Sequence, residues 1–167
     1  MMTSLLILHG LLAFALLGAL THQAVAVAWP FRGPARDADS FAKRFRAVSA
    51  PAYTHTIIVL FLVTFAIGMV IYPAYRLNVR PYLQDYRMFA AEGAFEIKEH
   101  LAAIALGLLP LYWVLWRRPS LESGAPNDVA QDARWARLAV TLMIAIAAWA
   151  SFFVGHILNN IRGLFGT

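Results

Sequence analysis

The residues able to do chemistry in this sequence are few and placed where they are expensive. Five histidines occur, in "LHG" (His9), "THQ" (His22), "YTHT" (His55), "KEHLA" (His100) and "VGHIL" (His156). Each falls in a stretch that lacks Asp, Glu, Lys and Arg; these stretches cover 3–31, 47–75, 100–116 and 138–161. None lies in the polar connecting segments, where imidazole costs least. Ionisable groups inside a membrane are costly and are by default functional candidates. Imidazole moves protons near neutral pH, and its neutral form is a common ligand for iron, zinc and copper. A second group of candidates adjoins His100. "EGAFEIKEH" places Glu92, Glu96 and Glu99 within two turns of it, and Glu96 and His100 share a helix face.

The elements that must position these groups follow from composition. The chain is 60% hydrophobic and 14% charged, with mean hydropathy +0.62, which belongs to the membrane class. About 20 residues of helix cross ~30 Å of hydrocarbon. The runs therefore read as four transmembrane helices, roughly 3–29, 53–76, 93–117 and 134–162. The expected fold is an all-α integral membrane four-helix bundle, up-down-up-down, forming one membrane domain over 1–167. The first run reads as a retained helix, since no basic residue follows Met1 and the apolar stretch exceeds a signal core. Two segments suit helices lying on the membrane surface: about 38–48, with Phe41, Phe45 and Val48 opposite Lys43, Arg44 and Arg46, and about 81–90, with Tyr82, Tyr86 and Phe89. "SLESGAPNDVAQD" (120–132) reads as a polar loop.

Four crossings put both termini on one side, here called side A. Of the 14 basic residues, side A receives Arg76, Arg80, Arg87, Lys98 and Arg162, and side B the other nine. The positive-inside rule then makes side B cytoplasmic and both termini periplasmic, as for a bacterial inner-membrane protein. The basic pI is explained by lipid headgroups beside the helices rather than by nucleic acid. The absence of cysteine excludes disulfides, thiolate-held iron–sulfur clusters and haem attached through Cys-x-x-Cys-His.

Alternating chain direction sorts the histidines by depth. His22 and His55 fall in a B layer; His9, His100 and His156 fall in an A layer, about 20 Å away along the first helix. Two imidazoles on facing helices can supply both axial ligands of a low-spin haem whose work is electron transfer. The pattern resembles four-helix membrane cytochromes of the b type, including the haem-bearing anchors of membrane dehydrogenases. The resemblance is architectural: it rests on four crossings and the five layered histidines, not on a linear motif. It implies one or two non-covalent haems b, quinone chemistry near one face, and partner subunits of a respiratory or photosynthetic redox complex. The chain would be an electron-transfer subunit and not a complete enzyme. One departure concerns His9 and His22, which are 13 residues apart and so differ by about 220° in azimuth. The assignment that follows is His22 with His55 in the B layer and His100 with His156 in the A layer, leaving His9 open as a ligand.

The remaining candidates have ordinary readings beside them. Gly10 and Gly155 adjoin histidines and would leave room for a macrocycle, but small residues also let membrane helices approach. Arg32, Arg44, Arg46, Arg76, Arg80 or Arg162 could pair with haem propionates or simply with headgroups. Glu96 and Glu99 suit proton exchange with quinone or a Glu–His metal site, while acids also favour a helix start. Two further functions fit the same residues: a membrane protein that handles a metal ion, and a cofactor-free anchor or assembly subunit.

Overall fold

A computed structural model describes residues 2–31, 33, 37–117 and 127–165, with the side chains of 127–130 and 162–165 excepted. It contains α1 (Met2–Ala28), α2 (Phe41–Arg46), α3 (Thr54–Asn78), α4 (Arg80–Asp85), α5 (Phe89–Arg117) and α6 (Asn127–Phe165), with a 3-10 turn, Ala50–Tyr53, leading into α3. There is no strand among the described residues. Four segments are long and apolar enough to cross a membrane: Met2–Ala28, Ala50–Asn78, Phe89–Arg117 and Gln131–Ile161. The chain is thus an all-α integral membrane bundle. Helices are the natural form for these segments, because backbone groups in hydrocarbon must be satisfied within the segment.

Each long helix packs against its two neighbours in the ring: α1 on α3 and α6, and α5 on α6 and α3. The core is concentrated in the B-side half. It joins Leu16, Leu20 and Val27 of α1, Ile57 and Phe61 of α3, Ala105, Leu109, Tyr112 and Trp116 of α5, and Leu138, Val140, Ile144, Ala145 and Ala147 of α6. Toward side A the packing changes. No described residue in 2–15, 65–78, 89–104 or 148–157 is buried. The bundle is therefore tight at one end and loose at the other.

Polar contacts cross the tight half. Gln23, fully buried, accepts from the Tyr112 hydroxyl at 2.7 Å and donates to the Ala50 carbonyl at 3.0 Å. Thr54 is buried beside that hydroxyl. The Trp116 indole donates to Thr141 at 3.1 Å, and the Trp149 indole to Thr21 at 3.0 Å. Lipid tails are as apolar as leucine, so helix association relies on packing and such bonds rather than on hydrophobic burial.

The ends of the elements differ in places from the sequence reading. The surface helix expected over 38–48 spans Phe41–Arg46; Ser40 caps it by accepting the Lys43 N–H. The Asp39 carboxylate, paired with Lys43 at 2.7 Å, is held below the usual carboxylate range by that hydrogen bond and charge. The segment expected over 81–90 is split. It ends as α4 at Asp85, Arg87 takes a left-handed conformation (φ 56°), the Met88 N–H closes back on the Leu83 carbonyl, and Phe89 already belongs to α5. The loop expected over 120–132 is helical from Asn127, since "NDVAQDARWARLA" is rich in good helix formers. Its first part, and Arg32, lie outside the described residues.

Gln23→Leu should be costly, because it strands a buried hydroxyl and a carbonyl together. The expected loss is about 1–3 kcal/mol in an unfolding titration in micelles. Asn160→Ala, at an exposed amide that bonds the carbonyl of its own preceding turn, should change stability by less than the error of that measurement.

Candidate functional site

The B-level site grows out of the small residues on α1. Ala15, Gly18 and Ala19 leave a shallow face, and opposite them the chain offers Ala52, Tyr53, Thr56 and Leu60, with Val48 at the rim. The result is a groove of about 590 Å³ in the outer seam between α1 and α3, open sideways. His22 stands in its wall. Its Nε2 lies 2.6 Å from the Phe45 carbonyl, which can only accept, so Nε2 carries the proton. Its Nδ1 then accepts from the Tyr53 hydroxyl at 2.8 Å. The Phe45 ring stacks on the imidazole at 3.9 Å and 15°. Both nitrogens are engaged, and the ring pins α2 to the bundle.

In this arrangement His22 has no lone pair left for a metal. His55, two residues after Tyr53, is exposed on the outside of α3. The two histidines assigned to the B layer are therefore not turned toward a common ligand position.

At the A level the inward histidine is His9. Its Nδ1–H donates to the Thr64 carbonyl at 3.0 Å, which leaves Nε2 as the unprotonated nitrogen, without a hydrogen bond among the described residues. The ring lies against Gly68, where a Cβ would come within 3.3 Å of Cε1. Lys98 extends from α5 toward the α6 backbone at Gly155, passes over the Phe95 ring at 4.8 Å, and is close enough to act on His9 electrostatically. His100 and His156 are exposed. His100 donates through Nδ1 to the carbonyl of Glu96, one turn back, at 2.7 Å, and the His156 ring lies parallel to Phe152. Of the three histidines expected at this level, the His9 ring faces the bundle interior and the His100 and His156 rings do not.

The carboxylates of α5 turn to α4. Arg80 donates to Glu92 at 2.5 Å and to Glu96 at 3.3 Å, and Gln84 also donates to Glu92. Glu92 and Glu96 therefore moor the A-side surface helix, while Glu99 is half-buried. On α4, burial and the neighbouring Tyr86 raise the Tyr82 hydroxyl above its ordinary pKa. Among the described residues no cluster of three or more His, Asp or Glu side chains could hold a metal ion. Of the arginines considered for propionates, Arg44 bonds the Ala38 carbonyl, Arg46 the end of α1, and Arg76 the Tyr72 hydroxyl; the Arg162 side chain lies outside the described residues.

Sequence reasoning assigned no site role to Tyr53 or Lys98, and Phe45 entered only as part of the apolar face of the surface helix. Tyr53 reads as an interfacial aromatic and Lys98 as a headgroup-seeking lysine. Gln23 carried a usable signal, as the only amide side chain in the charge-free run of α1. The fold and site together define a small four-helix membrane protein with two half-buried imidazoles on one helix, one in a lateral groove and one against the bundle interior. No family model, curated protein or solved structure matches the chain.

Removing the imidazole should release α2. In hydrogen exchange followed by mass spectrometry, His22→Ala is expected to speed amide exchange across 41–46 about tenfold, equivalent to ~1.4 kcal/mol. Tyr53→Phe, which leaves the bond to Phe45, should have a smaller effect in the same direction.

Proposed function

We propose that the protein is a membrane-embedded electron-transfer subunit that takes electrons and protons from a quinol in the bilayer and serves a partner redox protein. The carrying observation is the Tyr53–His22 pair at the head of a sideways-open groove with small-residue walls. Ala15, Gly18, Ala19 and Leu60 offer an apolar floor for an isoprenoid tail. The Tyr53 oxygen keeps a lone pair for a quinol hydroxyl. As that hydroxyl gives its proton to Tyr53, the tyrosine proton passes to Nδ1 of His22. The imidazolium formed still donates from Nε2 to the Phe45 carbonyl. The relay holds one proton at a time. The second quinol proton follows only after the imidazolium has released the first to water at side B. The two electrons leave singly, to a one-electron acceptor of the partner redox protein or to a haem b if this chain holds one.

A bis-histidine site at His22 and His55 does not suit the geometry above. His9 suits one axial position. A carbonyl bond at Nδ1 is the usual support for a metal-binding imidazole, because it fixes the tautomer that leaves Nε2 for iron. Gly68 and the loosely packed A half favour a bulky group there. The second ligand would come from a reoriented His100 or His156, or from the partner. In the proposed setting, a bacterial inner membrane with side B cytoplasmic, the groove head lies toward the cytoplasm and Lys98 and Glu99 toward the periplasmic end.

Gly18→Leu tests the groove. A Cβ at Gly18 meets nothing within 4 Å, and Gly18 lines the groove, so the substitution places apolar bulk in the groove. A short-chain quinone, followed by tryptophan quenching, should bind at least about tenfold more weakly, or ~1.4 kcal/mol; unchanged binding rules the groove out. Pyridine haemochrome assay of the purified chain tests the haem. His9→Ala should lose it and His22→Ala should keep it, and the opposite result would overturn the assignment. Cysteine labelling at 120–132 should report a cytoplasmic position.

A further inference from the structure

We infer that Arg46 and Arg134 form a binding site for the phosphate of an anionic phospholipid at the B-side end of α1. The last carbonyls of any helix lack partners within it. Here Arg134 takes Val27 and Ala28 at 3.1 and 3.0 Å, and Arg46 takes the following Trp29 and Pro30 at 2.7 and 3.3 Å. Each guanidinium uses Nε and Nη2 for these bonds, so its orientation is fixed. Nη1 of each makes no hydrogen bond among the described residues.

The two cations flank one recess of about 450 Å³, lined by Ala28, Trp29, Pro30, Arg46 and Arg134. Neither forms an ion pair with a described carboxylate; Asp39, the acid nearest in sequence to Arg46, is paired with Lys43. Indoles brace both: Arg46 lies 4.0 Å over Trp29, and Arg134 5.6 Å over Trp135. Two preoriented guanidiniums with no acidic partner suit a phosphodiester, which can accept from both. The carbonyls they hold offset only part of the charge. The height of the recess favours lipid as the source. Trp29, Trp135 and Trp113 are all exposed at this end, as is Phe41 of α2, which marks the headgroup level. Lysine and arginine pockets at this level are the usual way proteins hold anionic lipids.

The test uses the full chain, purified from nanodiscs of phosphatidylcholine mixed with phosphatidylglycerol. Native mass spectrometry counts the retained lipid. Wild type should keep phosphatidylglycerol in preference to phosphatidylcholine. Arg46→Gln and Arg134→Gln should each lower that retention about fivefold. Lys43→Gln, on the same surface but outside the recess, should leave it unchanged. If loss of a carbonyl cap prevents folding, Arg46→Lys and Arg134→Lys give the same reading. They keep the charge but lose the fork, so retention should fall while helical circular dichroism is kept. Undiminished retention in any folded arginine variant overturns the site, as does an equal loss in Lys43→Gln. Displacement of the lipid by millimolar inorganic phosphate overturns the assignment to lipid.

Discussion

Helix α1 has no charged side chain, yet polar contacts from it reach each of the other three long helices. His9 bonds the Thr64 carbonyl of α3, Thr21 accepts from Trp149 of α6, and Gln23 joins Tyr112 of α5 to the Ala50 carbonyl of the 3-10 turn. His22 holds Phe45 of α2 and Tyr53, while Arg46 and Arg134 hold the carbonyls at its end. In water these bonds would compete with solvent and contribute little. In a bilayer the competing state is an unpaired polar group in hydrocarbon, so the polar side chains of α1 set the register of its neighbours. The apolar residues fill the space between helices whose relative heights the polar contacts have already fixed.

This constraint also explains why the two halves of the bundle differ. The bonds made by Thr21, His22 and Gln23, and the two arginine caps, all fall between residues 21 and 30, in the last turns of α1 and the two residues after it, and the buried core lies at the same levels. In the other half His9 makes the only such bond from α1 among the described residues. There the helices carry Lys98, Glu99 and the inward glycines Gly68 and Gly155, and no side chain between 2 and 15 is buried. The tight half thus fixes the relative heights of the helices, while the loose half leaves its ionisable groups less constrained by packing.

The number and placement of the spans were legible because charge is excluded from hydrocarbon whatever the packing. Depth was legible for the same reason: alternating chain direction assigns each histidine to a level. Azimuth was harder. The 13-residue spacing does show that His9 and His22 cannot face one axis, and the structure has His22 in the outer seam and His9 against Gly68. However, whether His55, His100 or His156 turns inward depends on the rotation of α3, α5 and α6, which is set by contacts such as Trp116 with Thr141 that no single-helix pattern encodes. The starts of α5 and α6 were missed by four and seven residues, because the boundary of a charge-free run marks the edge of hydrocarbon and a helix can continue beyond it into the headgroups.

The two half-buried imidazoles of α1 hold opposite tautomers, and a backbone carbonyl decides each. At His9 the carbonyl of Thr64 claims Nδ1–H, so the free lone pair is on Nε2, at the distal end of the ring. At His22 the carbonyl of Phe45 claims Nε2–H, so the lone pair is on Nδ1, and Tyr53 already points its proton there. The same residue type is thus prepared for two tasks. One ring can offer a nitrogen to an electrophile in the loose half. The other can only receive a proton along an existing hydrogen bond. Exchanging the two roles would need both rings to flip and break a hydrogen bond to a fixed carbonyl in a medium without water to replace it, so the assignment of roles follows from the backbone rather than from the imidazoles themselves.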